Sequence, residues 1–172
     1  MRRVLPMLVC VLFSGCVQFA RGPSIDWDAA TAPPMQLNIM RDDLKELVTY
    51  EGPNCSPNPL SALLLRAVAG GGMPPAYGIY ITDHYYDDDW RRYELATDRE
   101  GHSFLLHVLE RRESYCDEYG CAKDERVMIG VSREYLGQHE GEGVRLQLEG
   151  RRSAAVYVLP GGYIGAFLRQ VP

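Results

Sequence analysis

Tyr77-Gly-Ile-Tyr-Ile-Thr-Asp-His-Tyr-Tyr86 is rich in β-branched and aromatic residues and alternates with a period of two, so it reads as a β-strand. That alternation puts Tyr80 and Tyr86 on one face and Tyr77 and Tyr85 on the other. Residues 90–96 and 103–111 have the same character and are joined to it by acidic or Gly-containing turns, which predicts an antiparallel meander. Further on, residues 126–131, 144–148 and 154–159 predict more strands, with short helical segments at 132–139 and 161–170. Upstream the period changes. In Arg41-Asp-Asp-Leu-Lys-Glu-Leu-Val-Thr-Tyr50, Leu44, Leu47 and Val48 fall at helical spacing behind Asp42 as an N-cap. Asn58-Pro59 followed by the apolar run 60–69 and Gly70-Gly71-Gly72 predicts a second helix with its cap, first position and stop. The fold class expected is α+β: a mainly antiparallel sheet with two short N-terminal helices and a short C-terminal helix, in one domain over residues 36–172.

The N-terminus carries an address. Arg2 and Arg3 precede the apolar stretch 4–13, which is too short to span a bilayer as a helix. It ends in Leu12-Phe13-Ser14-Gly15-Cys16, which resembles the lipobox of bacterial lipoproteins, with Phe13 in place of the usual Leu. The resemblance implies that residues 1–15 are a signal peptide and that Cys16 is acylated and becomes the new N-terminus. By the sorting pattern of enteric lipoproteins, the resemblance further implies, from Val17 not being Asp, delivery to the outer membrane of the cell envelope. Residues 16–35, with Gly22-Pro23 and Pro33-Pro34, read as a flexible tether. Membrane attachment is then through the lipid on Cys16.

The proportions are those of a globular domain, 46% hydrophobic and 24% charged. A net charge of -5, with basic residues interspersed among acids, argues against a nucleic-acid partner. Loss of residues 1–15 removes Arg2 and Arg3 and no acid, which takes the charge to -7. With Cys10 in the signal and Cys16 lipidated, Cys55, Cys116 and Cys121 remain. Cys116 and Cys121 flank a polar, Gly-containing turn between strand-like runs, and a local disulfide is preferred there over a metal pair, which would lack ligands.

Asp83-His84-Tyr85-Tyr86-Asp87-Asp88-Asp89-Trp90 gathers an imidazole and four carboxylates, yet lacks the alternating acids and glycine of calcium loops and reads as a solvated turn. His102 and His107 are five apart, on opposite faces of a strand or about 140° apart on a helix, so they do not share a ligand. No nucleophile elbow, zinc-protease, P-loop or dinucleotide signature is present in the sequence. No catalytic residue, metal or cofactor is therefore assigned. Tyr80, Tyr85, Tyr86 and Trp90 are the candidate contact surface, since aromatic side chains enrich interfaces with proteins and sugars. The echo of Val131-Ser-Arg-Glu-Tyr-Leu-Gly137 in Leu159-Pro-Gly-Gly-Tyr-Ile-Gly165 is read as two aromatic-aliphatic core closures.

Cys116-Asp-Glu-Tyr-Gly-Cys-Ala122, then Tyr135-Leu136, then Val144-Arg-Leu-Gln-Leu-Glu-Gly150, then Val158-Leu-Pro-Gly-Gly-Tyr-Ile-Gly-Ala-Phe-Leu168 is similar to exported proteins of the invasion-associated locus B family over residues 115–170. The upstream Trp and cysteine pattern of that family is missing. The resemblance implies an envelope or host-interaction protein and carries over no active-site residue. The function expected is a membrane-anchored envelope lipoprotein acting as a non-enzymatic binding or structural module, with an envelope protein or glycan as partner. The alternative is a periplasm-facing hydrolase or metal-dependent enzyme using His84 with Asp87, Asp88 and Asp89.

Overall fold

The computed structural model of the chain describes residues 25–118 and 120–172. The expected signal peptide, Cys16 and the first part of the expected tether, residues 1–24, lie outside the described residues.

Among the described residues ten strands form two antiparallel sheets. The larger has six strands in the order β1 (Asn38–Asp42), β2 (Leu47–Glu51), β3 (Ala62–Gly70), β4 (Met73–Asp87), β8 (Gly120–Val131) and β7 (Leu106–Asp117). The smaller has four, β10 (Ala154–Leu159), β9 (Val144–Gly150), β5 (Tyr93–Asp98) and β6 (Ser103–Phe104). Two short helices follow strands: α1 (Arg133–Gln138) after β8 and α2 (Gly161–Leu168) after β10. Their inner faces share one core. Leu63, Leu65, Ile79, Ile81, Val127 and Ile129 come from the larger sheet and meet Leu146, Leu148 and Leu159 from the smaller one, with Tyr163, Ile164 and Phe167 of α2. Burial of these apolar side chains, roughly 1.5–3 kcal/mol each, is the main favourable term in the fold.

The two expected N-terminal helices are not formed; both segments are strands. Residues 41–50 end β1, turn and begin β2, and Leu44 sits on the turn 98% exposed. Asp42 does accept an N–H three residues on, from Lys45 at 3.1 Å, as a helix cap would. Glu46 then takes φ +53°, the left-handed region, and the chain reverses. Residues 60–69 mostly form β3, with Leu63, Leu65 and Ala67 buried and Leu64, Arg66 and Val68 facing outward. A continuous apolar run fits a strand in mid-sheet as well as a helix, and pairing on both sides by β2 and β4 decides for the strand. Gly70, Gly71 and Gly72, all with positive φ, make the β3–β4 turn instead of a helix stop. The C-terminal helix is present as α2.

Part of the stretch expected as tether is packed. Trp27 is 6% exposed and meets Tyr163 edge-on, ring centroids 5.2 Å apart, and Met35 is buried too. Pro160 offers α2 no capping side chain, and Asp28 supplies one from upstream by accepting the Gly162 N–H at 2.7 Å. At the opposite side β7 forms the sheet edge, exposed almost along its whole length, with register shifts at 108–110 and 113–115.

Candidate functional site

Strand alternation sends neighbouring residues of the 83–90 segment to opposite faces. Asp83 turns inward, where its Oδ2 accepts from Arg91 Nη1 at 2.7 Å and from the Tyr93 hydroxyl. His84 turns outward and its Nδ1 lies 2.7 Å from Asp124 Oδ1. The Asp87 and Asp88 carbonyls accept from the buried Lys123 Nζ at 2.6 and 3.0 Å, while the Asp89 carboxylate pairs with Arg152. His84 and Asp87–Asp89 therefore do not converge on one point, and the constellation of the enzyme alternative is dispersed.

The inward face of this end of the sheet carries charge, which the sequence pattern does not announce. Glu125 is fully buried. Its Oε1 accepts from Tyr93 N at 3.1 Å and Arg111 Nε at 2.9 Å, and its Oε2 from Arg92 N at 3.1 Å and the Tyr85 hydroxyl at 3.2 Å. Four donors on one carboxylate pin residues 91–93, where the chain crosses from one sheet to the other. Tyr85 belongs to this network: its hydroxyl also accepts the Arg91 N–H, and burial pushes it up to about 12. It is 5% exposed and offers no contact surface, and Trp90 is half-covered with Lys123 Nζ 5.7 Å from its ring.

Of the four aromatic residues singled out from sequence, Tyr80 and Tyr86 stand on the outer face. Tyr80 lies under the Arg66 guanidinium, 4.2 Å from its centroid. Tyr86, Ala122 and Tyr115 are cross-strand partners on β4, β8 and β7. Two strand spacings separate the tyrosines, about 10 Å. They are 45% and 63% exposed, with the small Ala122 as the floor between them, and the Tyr86 hydroxyl donates to the Asp117 carboxylate. Next to this row Cys116 and Cys121 are joined by a disulfide between directly opposed positions of β7 and β8. The two strands run on to Asp117 and from Gly120, so the bond staples a ladder, not a loop. Tyr115 is the surface residue sequence reasoning missed. It is one position from Cys116, and only the strand register shows which face it shares.

A second arrangement lies where β5 ends. Asp98 Oδ1 accepts the N–H groups of Glu100 and His102, both at 2.9 Å, and its Oδ2 accepts from His102 Nδ1 at 2.9 Å and the Tyr135 hydroxyl at 3.0 Å. Burial pushes the Asp98 carboxyl up, but the hydrogen bonds from His102, Tyr135 and Glu100 outweigh it and hold the group below its usual range. The hydrogen bond and charge of Asp98 raise His102. From α1, Tyr135 meets Phe104 edge-on with ring centroids 5.0 Å apart, and His139 just past the helix donates from Nδ1 to the Tyr135 carbonyl 2.7 Å away. A carbonyl only accepts, so Nδ1 is the donor, and Nε2 is the nitrogen left to face the hollow. His139 Nε2 lies 3.9 Å from Glu100 Oε1. Asp98, Glu100, Tyr135 and His139 line a hollow of about 230 Å³. His102 thus finds Asp98, not His107. Tyr135 and His139, four apart at a helix, were the signal that could have drawn attention to α1.

Among the described residues two groups of side chains bring three metal-ligating atoms within 4.8 Å: Glu113 with Cys116 and Cys121, and Asp98 with Glu100 and His139. The sulfurs of the first are spent in the disulfide. Compared with known protein families, with curated proteins and with solved structures, the chain matches none.

Proposed function

We propose that the chain is an envelope lipoprotein, held at the outer membrane by the lipid on Cys16, whose domain is a non-enzymatic binding module for another envelope protein. The address rests on the charge, apolar run and Ser14-Gly15-Cys16 of the N-terminus. The binding reading rests on one observation above all: Tyr86 and Tyr115 stand exposed on either side of Ala122, on strands stapled together beside them. Tyrosines present a large apolar contact with few rotamers to freeze, and a disulfide removes freedom the hairpin would otherwise lose on binding. Tyr80 on the same face, with Arg66 and the exposed Leu109, extends the patch away from the stapled end.

Two measurements test the two halves separately. Intact-mass analysis of the membrane fraction finds acyl groups on Cys16, and Cys16→Ala releases the domain or leaves the precursor uncut. A mature chain that starts elsewhere without acyl groups overturns the address. For binding, a photoreactive residue at position 115 crosslinks one envelope protein, and Tyr86→Ala abolishes the product while His139→Ala does not. Crosslinking unchanged by Tyr86→Ala, or capture of glycan alone, overturns the reading.

A further inference from the structure

We propose that Asp98, Glu100 and His139 form a site for a divalent cation of the zinc type. The proposal is independent of the binding face, which lies on the outer side of the other sheet. Three features point to it. First, the ligand atoms are already gathered within 4.8 Å of one another although Asp98 and His139 are 41 residues apart in sequence. Second, His139 is set up as a ligand. Its Nδ1 donates to the Tyr135 carbonyl, which fixes the ring and turns Nε2 toward Glu100, the same second contact that orients metal-bound imidazoles. The side chain is 15% exposed, so the ring is held by its surroundings, and it tilts against Tyr135 with centroids 4.4 Å apart. Third, Asp98 is oriented by four donors.

The charge balance fits a cation. Glu142 joins Asp98 and Glu100 in the lining against Arg99 and Arg145, which leaves the hollow net negative. An imidazole beside two carboxylates suits zinc and its neighbours, whereas calcium and magnesium prefer oxygen alone. Bonds of about 2.0–2.2 Å place ligand atoms roughly 3.3 Å apart around a tetrahedral ion. Glu100 is 61% exposed and can close the 3.9 Å gap to His139 by well under 1 Å of side-chain motion. Both lone pairs of Asp98 Oδ2 are in use, so the ion displaces one donor. His102, 62% exposed, is the one that turns to water, while Tyr135 stays packed on Phe104. The remaining coordination positions open to solvent.

The test is zinc titration of the mature domain against a chromophoric chelator, with circular dichroism on each variant as the check that it is folded. One zinc per chain is expected. Glu100→Gln, an exposed and structurally mild change, weakens binding about tenfold or more, as does His139→Ala. His102→Ala, which removes the donor the ion displaces, leaves affinity unchanged or tighter, and His84→Ala and His107→Ala leave it unchanged. Cobalt in place of zinc gives visible d–d bands that vanish in His139→Ala. Absence of binding at 100-fold molar excess of zinc, affinity unchanged in folded Glu100→Gln, or a loss in His102→Ala equal to that in His139→Ala overturns the assignment.

Discussion

Glu125→Ala is the change that tests the charged interior most directly. The carboxylate is wholly enclosed and accepts four hydrogen bonds, two of them from the backbone N–H groups of Arg92 and Tyr93. In the alanine variant Arg111, 37% exposed, turns toward water, while the Tyr85 hydroxyl still accepts the Arg91 N–H but loses the acceptor for its own proton. The two backbone donors have no such recourse, and each left unpaired costs about 1–3 kcal/mol. The sum agrees with the roughly 3–5 kcal/mol lost when one partner of a buried ion pair is removed. We expect about 4 kcal/mol in urea unfolding of the disulfide-intact domain. In a chain of this size that is a fall in Tm of roughly 8–16 °C. Glu125→Gln keeps the shape and one acceptor oxygen but turns an N–H₂ toward a donor, so it should cost about half as much, roughly 2 kcal/mol. A loss below about 1 kcal/mol in Glu125→Ala refutes the claim that this carboxylate pins the crossover. So does a Gln variant as damaged as the alanine one.

Gly162→Ala puts a Cβ 2.0 Å from the Trp27 carbonyl oxygen, so it should drive Trp27 off Tyr163 at a cost of about 1–3 kcal/mol, with a red shift in tryptophan emission; unchanged emission and stability would mean Trp27 is not docked there. Replacing Cys116 and Cys121 together by Ser should cost about 2 kcal/mol for so short a loop and leave the domain folded, and non-reducing peptide mapping should find them joined with Cys55 free. Burial pushes the Cys55 thiol up to about 12, against a smaller opposing effect of its own backbone hydrogen bond, and the thiol donates to the Leu63 carbonyl. Iodoacetamide at pH 8 should therefore label Cys55 about a hundredfold or more slower in the native than in the unfolded chain. Asp124, pushed up by burial but held below its usual range by His84 and Arg112, should stabilise the fold above the unfolded carboxylate pKa. That contribution should be lost as the pH falls through the lower folded value, and an acid-unfolding curve of Asp124→Asn should lack it.

The sequence carried the sheet where side chains alternate in polarity. Residues 154–159 and the face assignment of Tyr77, Tyr80, Tyr85 and Tyr86 were legible for that reason. It misled where alternation was absent. The run 60–69 is apolar on both faces apart from Ser61 and Arg66, and its period gave no hint of which element it forms. Residues 41–50 hide a turn whose left-handed residue is Glu46, a residue type that does not advertise one. The surface was misjudged at Tyr85 for a different reason: alternation says which residues share a face, not which face is covered. Here the covered face holds Asp83, Lys123 and Glu125, the reverse of the usual polarity. The hollow at Asp98 was out of reach of any local pattern, since it is assembled by a turn after β5 and by α1, 37 residues later.

The register shifts of β7 would have a consequence if the proposed lipid anchor crowds copies of the protein onto a membrane surface. A straight strand with a free edge invites a neighbour's strand, and copies confined to two dimensions meet edge to edge far more often than copies in solution. Each shift leaves one residue of β7 unmatched and twists the strand, so no long partner can follow its ladder. Between the shifts lie Glu110, Arg111, Arg112 and Glu113, which a neighbour would have to desolvate. At the other border of the sheet β1 is only five residues long. Dense packing of such molecules would therefore leave them as separate particles, each with its stapled tyrosine end free to meet something else.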